Sequence, residues 1–327
     1  MLMKNRLNKF IQTIFLLFFT NSCFLLNNYY TSYSFSIEKN IELAKELIAQ
    51  KKYKEAIDYL NRAIKNEKKS EYIFIRAMAY KHIGDLDKAL EDFEYVIKSD
   101  RKNIEAYKNK SDIYFQKNKL YHAIQSINQA LDIEPQNTEL LHIKGSLYLH
   151  SGIVDDAIQV YNTIIQYDPK DTDSYSMLGI LYTAKNEFDN ALSMYNKAIE
   201  NKPNDWKLYY NRGINYSRMK KYAEAINDFN AALNLNKDFI EIYLERGYAY
   251  FHTGNYQQAI DDFNMVLSKD NKKAEALYFL GLSYEEVGMI NEALEIYRNF
   301  LKIEKPEAFR EHENYIKHRI KEIENKQ

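Results

Sequence analysis

From Ile37 onward, apolar and small residues recur three and four apart, and the whole arrangement returns every thirty-four positions. Such spacing fits one face of a helix and not the two-residue alternation of a strand. An alanine stands at Ala56, Ala89, Ala123, Ala157, Ala191, Ala225, Ala259 and Ala293, and twelve residues before each comes Ala44, Ala77, Ser111, Gly145, Gly179, Gly213, Gly247 or Gly281. Three after this small slot stands Leu47, then Tyr80, Tyr114, Tyr148, Tyr182, Tyr216, Tyr250 and Tyr284. Four after each alanine stands Leu60, Phe93, Ile127, Tyr161, Tyr195, Phe229, Phe263 or Tyr297. Each block therefore predicts two amphipathic helices joined by a short turn, with small side chains at matched points so that the backbones cross closely.

Punctuation agrees with that pattern. Asn103, Asn137, Asp171 and Asp205 stand where they cap the next helix, and Pro135, Pro169 and Pro203 stand two residues earlier, where a helix has to have stopped. The nine glycines occupy either the small slot or the turn between paired helices, at Gly84, Gly152, Gly254 and Gly288. None is left over for a phosphate-cradling loop.

The small slot, tyrosine, alanine, aromatic and closing proline resemble the tetratricopeptide repeat. The resemblance spans 37–306, with a first copy that lacks the tyrosine and proline and a last copy that places Pro306 one residue late. It implies an all-α fold, a right-handed superhelical solenoid of about eight helix-turn-helix units. After Pro306, Phe309, Ile316, Ile320 and Ile323 share one face of the segment 307–327, which reads as an amphipathic capping helix over the last unit's apolar end.

Ahead of the array, Lys4, Arg6 and Lys9 precede the mostly apolar run Phe10–Phe19, which turns polar at Thr20. The segment 1–22 has the layout of a secretory signal and is short for a spanning helix. Its positive charge all lies before the run, so the repeats are expected on the far side of a membrane, periplasmic or membrane-anchored. Cys23, the chain's one cysteine, follows Ser22 and resembles the lipid-attachment cysteine of bacterial lipoproteins, although Thr20 and Asn21 depart from that motif. Three readings stand: lipid attached at Cys23 with 23–36 as a flexible tether, simple cleavage after Ser36, or an uncleaved anchor that would still export the repeats.

Bulk composition narrows the chemistry. With 45 basic and 46 acidic residues among 327, the net charge of −1 gives no field that would draw nucleic acid. His312 and His318 lie six apart, against the spacing of four that a helical zinc pair uses, so no metal site and no cofactor are expected. Most of the 29 tyrosines fall in packing columns, and nothing specifies a catalytic constellation, so the chain reads as no enzyme.

In the repeat family the first helix of each pair lines the concave wall, and the template's recognition positions lie three before, one after and four after the small slot. They hold Tyr210, Ile214 and Ser217, then Leu244, Tyr248 and Phe251, then Tyr278, Leu282 and Glu285, an aromatic and aliphatic set. Tyr210, Ile214, Leu244, Tyr248, Phe251, Tyr278 and Leu282 are the candidate peptide groove; the alternative is that they pack on the next unit or on the C-terminal helix. Units three and four hold a more polar mix there, Lys108, Asp112 and Phe115, then His142, Ser146 and Leu149. Glu241 and Glu245 stand where the family's clamp for acidic chaperone tails needs basic residues, and first helices open on Glu38, Glu71, Glu105, Glu139, Asp173, Glu241 and Glu275. The expected function is a non-catalytic scaffold or adaptor, exported, that binds segments or helices of other proteins; the alternative is a regulatory or targeting subunit of an enzyme on a separate chain.

Overall fold

The computed structural model describes residues 37–304 and 307–325, and among these every regular element is a helix. The leader 1–22, the tether 23–36, Cys23 and Pro306 lie outside the described residues. The chain divides into two compact units, up to Ile153 and from Val154. The first holds α1 (37–49), α2 (Tyr53–Asn66), α3 (Ser70–His82), α4 (Leu86–Ser99), α5 (Ile104–Gln116), α6 (Leu120–Leu131) and α7 (Thr138–His150). The second holds α8 (Val154–Tyr167), α9 (Thr172–Ala184), α10 (Phe188–Asn201), α11 (Trp206–Arg218), α12 (Tyr222–Leu235), α13 (Ile240–His252), α14 (Tyr256–Lys269), α15 (Ala274–Glu286), α16 (Ile290–Lys302) and α17 (Arg310–Glu324).

Within each unit a helix packs mainly on its neighbours in sequence, as α3 does on α4 and α13 on α14. That is the contact pattern of stacked helical hairpins. All eight column alanines are fully buried. The small slot proves to be a seat for a ring. A methyl group added at Gly179 would lie 2.5 Å from Cε1 of Tyr195, and one at Gly213 would lie 2.6 Å from Cε1 of Phe229. At Gly179, Gly213, Gly247 and Gly281 the aromatic sixteen positions on lies across the slot and fills it. Where the slot is a serine, its hydroxyl turns to the backbone: Ser111 Oγ donates to the carbonyl of the column residue Ala123 at 3.0 Å.

The turn inside each hairpin closes by a common device. One residue adopts a left-handed conformation, and the next backbone N–H donates back to the carbonyl of the leucine or tyrosine that follows the small slot, as Asp85 does to Tyr80 at 3.0 Å and Asn255 to Tyr250 at 2.9 Å. Gly84, Gly152, Gly254 and Gly288 supply that residue in four turns, while Lys51, Asn118, Asn186 and Lys220 supply it in the others. The caps form as the sequence implies: the side chains of Asn103, Asn137, Asp171 and Asp205 accept from the N–H groups of Ala106, Leu140, Ser174 and Lys207. At the next helix start Phe239 replaces the cap and its ring lies 4.6 Å from Trp206 instead.

At the C-terminus Glu307–Phe309 forms a 3-10 turn, so the final helix starts at Arg310 and Phe309 belongs to the turn. Ile316 and Ile323 of α17 are buried against a cluster that includes Leu294, Tyr297 and Phe300 of α16.

Candidate functional site

In the second unit the first helices also touch one another, α9 with α11, α11 with α13 and α13 with α15, so their outward residues form a continuous layer. The seven candidate groove residues all lie on this layer, half-buried, but they divide among three clusters. Tyr210 and Ile214 pack around Phe229 with Trp206 and Phe239. Leu244 and Phe251 belong to the cluster around Phe263, and the Tyr248 ring meets its member Phe279 edge-on at 5.1 Å. Tyr278 and Leu282 join the cluster that α17 closes, where the His312 ring stands 4.5 Å from Tyr278. Glu285, the third position in that repeat, receives the Arg319 guanidinium and, at 2.8 Å, the Tyr297 hydroxyl. Burial works to raise the Glu285 carboxyl, and the bonds from Arg319 and Tyr297 outweigh it and hold it below its ordinary value.

Open space remains at the middle cluster. A cleft of about 240 Å³ is lined by Leu244, Glu245, Tyr248, Phe263, Glu275 and Phe279. The first unit contains a larger one, about 510 Å³, whose lining includes Lys108, Asp112, Phe115, His142 and Ser146, at positions of the more polar mix, together with His150. Its charges are already matched: Lys108 bonds Glu105 at 2.8 Å and Glu139 at 2.5 Å, and Lys81 pairs with Asp112 at 2.5 Å. Among the described residues no three His, Cys, Asp or Glu side chains gather to hold a metal ion, and no helix is long and apolar enough to cross a membrane.

Beside the wall runs a set of contacts that the sequence reading passed over. Arg212 forks onto both carboxylate oxygens of Asp228 at 2.7 Å and reaches Asn196 on the preceding hairpin at 2.6 Å. Arg246 repeats this with Asp262 and Asn230, and Arg76 with Asp92 and Asn61. Each clamp ties the two helices of one hairpin to the hairpin before it. The signal was there to read: an arginine directly before the small slot and an aspartate sixteen residues later, twice in the second unit and once in the first. In two of the three, the same arginine also stands over a column tyrosine, with Arg76 5.8 Å from the centre of Tyr80 and Arg246 5.6 Å from that of Tyr250.

Helical hairpins repeated every thirty-four residues, with a ring seated in the small slots at Gly179, Gly213, Gly247 and Gly281, define an all-α helical-repeat solenoid. Family models described as TPR repeat or tetratricopeptide repeat match residues 41–104, 104–137, 148–211, 216–254, 240–270 and 274–306. The chain belongs to the tetratricopeptide repeat family. Among solved structures it is similar to the C-terminal part of a TPR repeat-containing protein from Cytophaga hutchinsonii, at 20% identity over 73% of this chain and 99% of that one, with a TM-score of 0.64. A tetratricopeptide repeat protein from Parabacteroides merdae matches at 23% identity over 76% of this chain and 98% of that one, with a TM-score of 0.52. The APC/C hetero-tetramer Cut9-Hcn1 matches at 17% identity and a TM-score of 0.50, over 85% of this chain and 54% of the other. No curated protein matches it in sequence. These likenesses carry the fold, and membership of the family supports a protein-interaction scaffold.

Proposed function

We propose that this chain is a non-catalytic scaffold that grips a segment of a partner polypeptide on the layer formed by α11, α13 and α15, and that it works exported from the cytoplasm, held at a membrane through its N-terminal segment or through lipid on Cys23. The observation that carries the binding reading is the contrast between core and layer: the alanines of the second unit and the aromatics four positions after them are buried, while Leu244 and Tyr248 are half-exposed and line an open cleft. Apolar side chains left half-exposed beside open space gain burial when a partner's side chains cover them. The Cut9-Hcn1 structure, in which a chain of this fold is part of a hetero-tetramer, is consistent with that use. The export reading rests on Lys4, Arg6 and Lys9 ahead of the apolar run Phe10–Phe19.

Tyr248→Glu places a charge on the layer without disturbing the slot at Gly247. It is expected to keep the helical content of the parent, to melt lower because the ring contacts with Phe279 and His252 are lost, and to lose at least tenfold in yield of crosslinked partner from native envelope at a temperature where it stays folded. Unchanged yield would refute the binding reading. Mass spectrometry of the mature N-terminus is expected to find a shortened chain beginning at Cys23 or just after Ser36; an intact Met1 would leave the uncleaved anchor as the form of export.

A further inference from the structure

An apolar wall would be served by neutral residues throughout, yet the cleft of about 240 Å³ on α13 and α15 sets two carboxylates among its rings. Tyr248 and Phe279 meet edge-on at 5.1 Å, and Phe279 stacks on Phe263 with centroids 6.0 Å apart and planes 19° from parallel. Glu245 and Glu275 complete the lining. Among the described residues the Glu245 carboxylate makes no hydrogen bond and no salt bridge. Burial pushes its carboxyl up, Arg218 and Lys273 pull it back from a distance, and Glu275 adds to the rise. An ionised group held in such a place without a bonded partner weakens the fold, and a cation delivered from outside would relieve that cost.

In the other unit a cleft of about 470 Å³ also joins a ring, Phe74, with carboxylates, Glu71, Asp100 and Glu105, and there lysines of this chain already serve two of the acids: Lys45 pairs with Glu71 at 3.6 Å and Lys108 with Glu105 at 2.8 Å. Glu71, Glu105 and Glu275 all stand six residues before the small slot of their repeat, at a position that is acidic in every repeat except the sixth, which has Lys207. Aromatic faces combined with carboxylates suit a long basic side chain: its aliphatic stem lies against the rings and its charged head between the acids. The smaller cleft has room for one extended side chain and not for a helix.

We propose that the cleft on α13 and α15 binds the side chain of a lysine or arginine from a basic segment of the partner, its stem against Tyr248 and Phe279 and its head between Glu245 and Glu275. This rests on the reading that the layer binds polypeptide, and it adds the charge of the segment.

The test uses the full chain and three fluorescent peptides of one apolar sequence, carrying lysine, acetyl-lysine or glutamate at alternate positions, titrated at low and at physiological salt. The lysine peptide is expected to bind at least tenfold more tightly than the acetylated one, with the glutamate peptide weakest. Glu245→Gln is expected to cut lysine-peptide affinity about tenfold and flatten its salt dependence, to leave the acetylated peptide unaffected, and to melt no lower than the parent. Glu292→Gln, an exposed acid on α16, is the control and is expected to change nothing. Equal affinity for lysine and acetyl-lysine peptides, with both lost in Tyr248→Glu, would overturn the cationic anchor and leave polypeptide binding standing. Equal losses in Glu245→Gln and Glu292→Gln would overturn it in favour of diffuse charge attraction. Binding of none of the three would remove the underlying reading and this inference together.

Discussion

Lys220 holds φ at +60°, in a turn where Gly254 and Gly288 occupy the equivalent place one and two repeats on. A side chain in that conformation costs about 1–2 kcal/mol, because Cβ crowds the following carbonyl. Glycine removes the crowding but loses more freedom on folding, which takes back about 0.4–1 kcal/mol. Lys220→Gly is therefore expected to stabilise the chain by about 0.5–1 kcal/mol, read as a higher denaturant midpoint with unchanged slope, and Gly254→Lys to do the reverse. The neighbouring small slots obey a different rule. Gly179 and Gly213 have ordinary helical φ values and are glycines because Tyr195 and Phe229 occupy the space of a Cβ, so the two kinds of glycine share a residue type and not a reason.

Between elements, the Arg246 clamp links α13, α14 and the middle of α12 through one guanidinium whose carboxylate partner Asp262 has a side chain 6% exposed. Removing one member leaves the other charge without its match, so Arg246→Leu alone is expected to destabilise by about 2–4 kcal/mol. The chain itself contains the remedy. In the eighth repeat the same two places hold Leu280 and Ile296, which pack in one apolar cluster with Phe263. The double variant Arg246→Leu with Asp262→Ile copies that pair and is expected to recover most of the loss. A double-mutant cycle in urea measures the recovery, and a simple sum of two penalties would show that the fork acts with Asn230 as a unit that apolar contact cannot replace.

For the molecule as a whole, what could be read in advance was whatever repeats at short range. Asn103 capping α5 and the hairpin turn at Gly84 follow from a few neighbouring residues, and eight copies in register turned weak local signals into a fold. The candidate wall was legible only as a set of positions. Its division into three clusters depends on how far individual rings reach: Phe239 leaves its capping role to meet Trp206, and His312 comes from α17 to Tyr278. No periodicity carries that information. Glu245 was read for its sign and not for its place among aromatic rings, which needs α15 laid beside α13.

The clamp has one more consequence, for how such a chain changes over generations. Because Arg212 and Arg246 use partners at the same offsets, sixteen residues before and sixteen after, excision of the block from Gly213 to Arg246 would join Arg212 directly to Gly247. The surviving guanidinium would then find Asp262 ahead of it and Asn196 behind it, at the old distances along the chain. Copy number between these two repeats can drift by unequal crossing-over without breaking the lock at the seam, and the length of the array becomes a heritable variable in its own right.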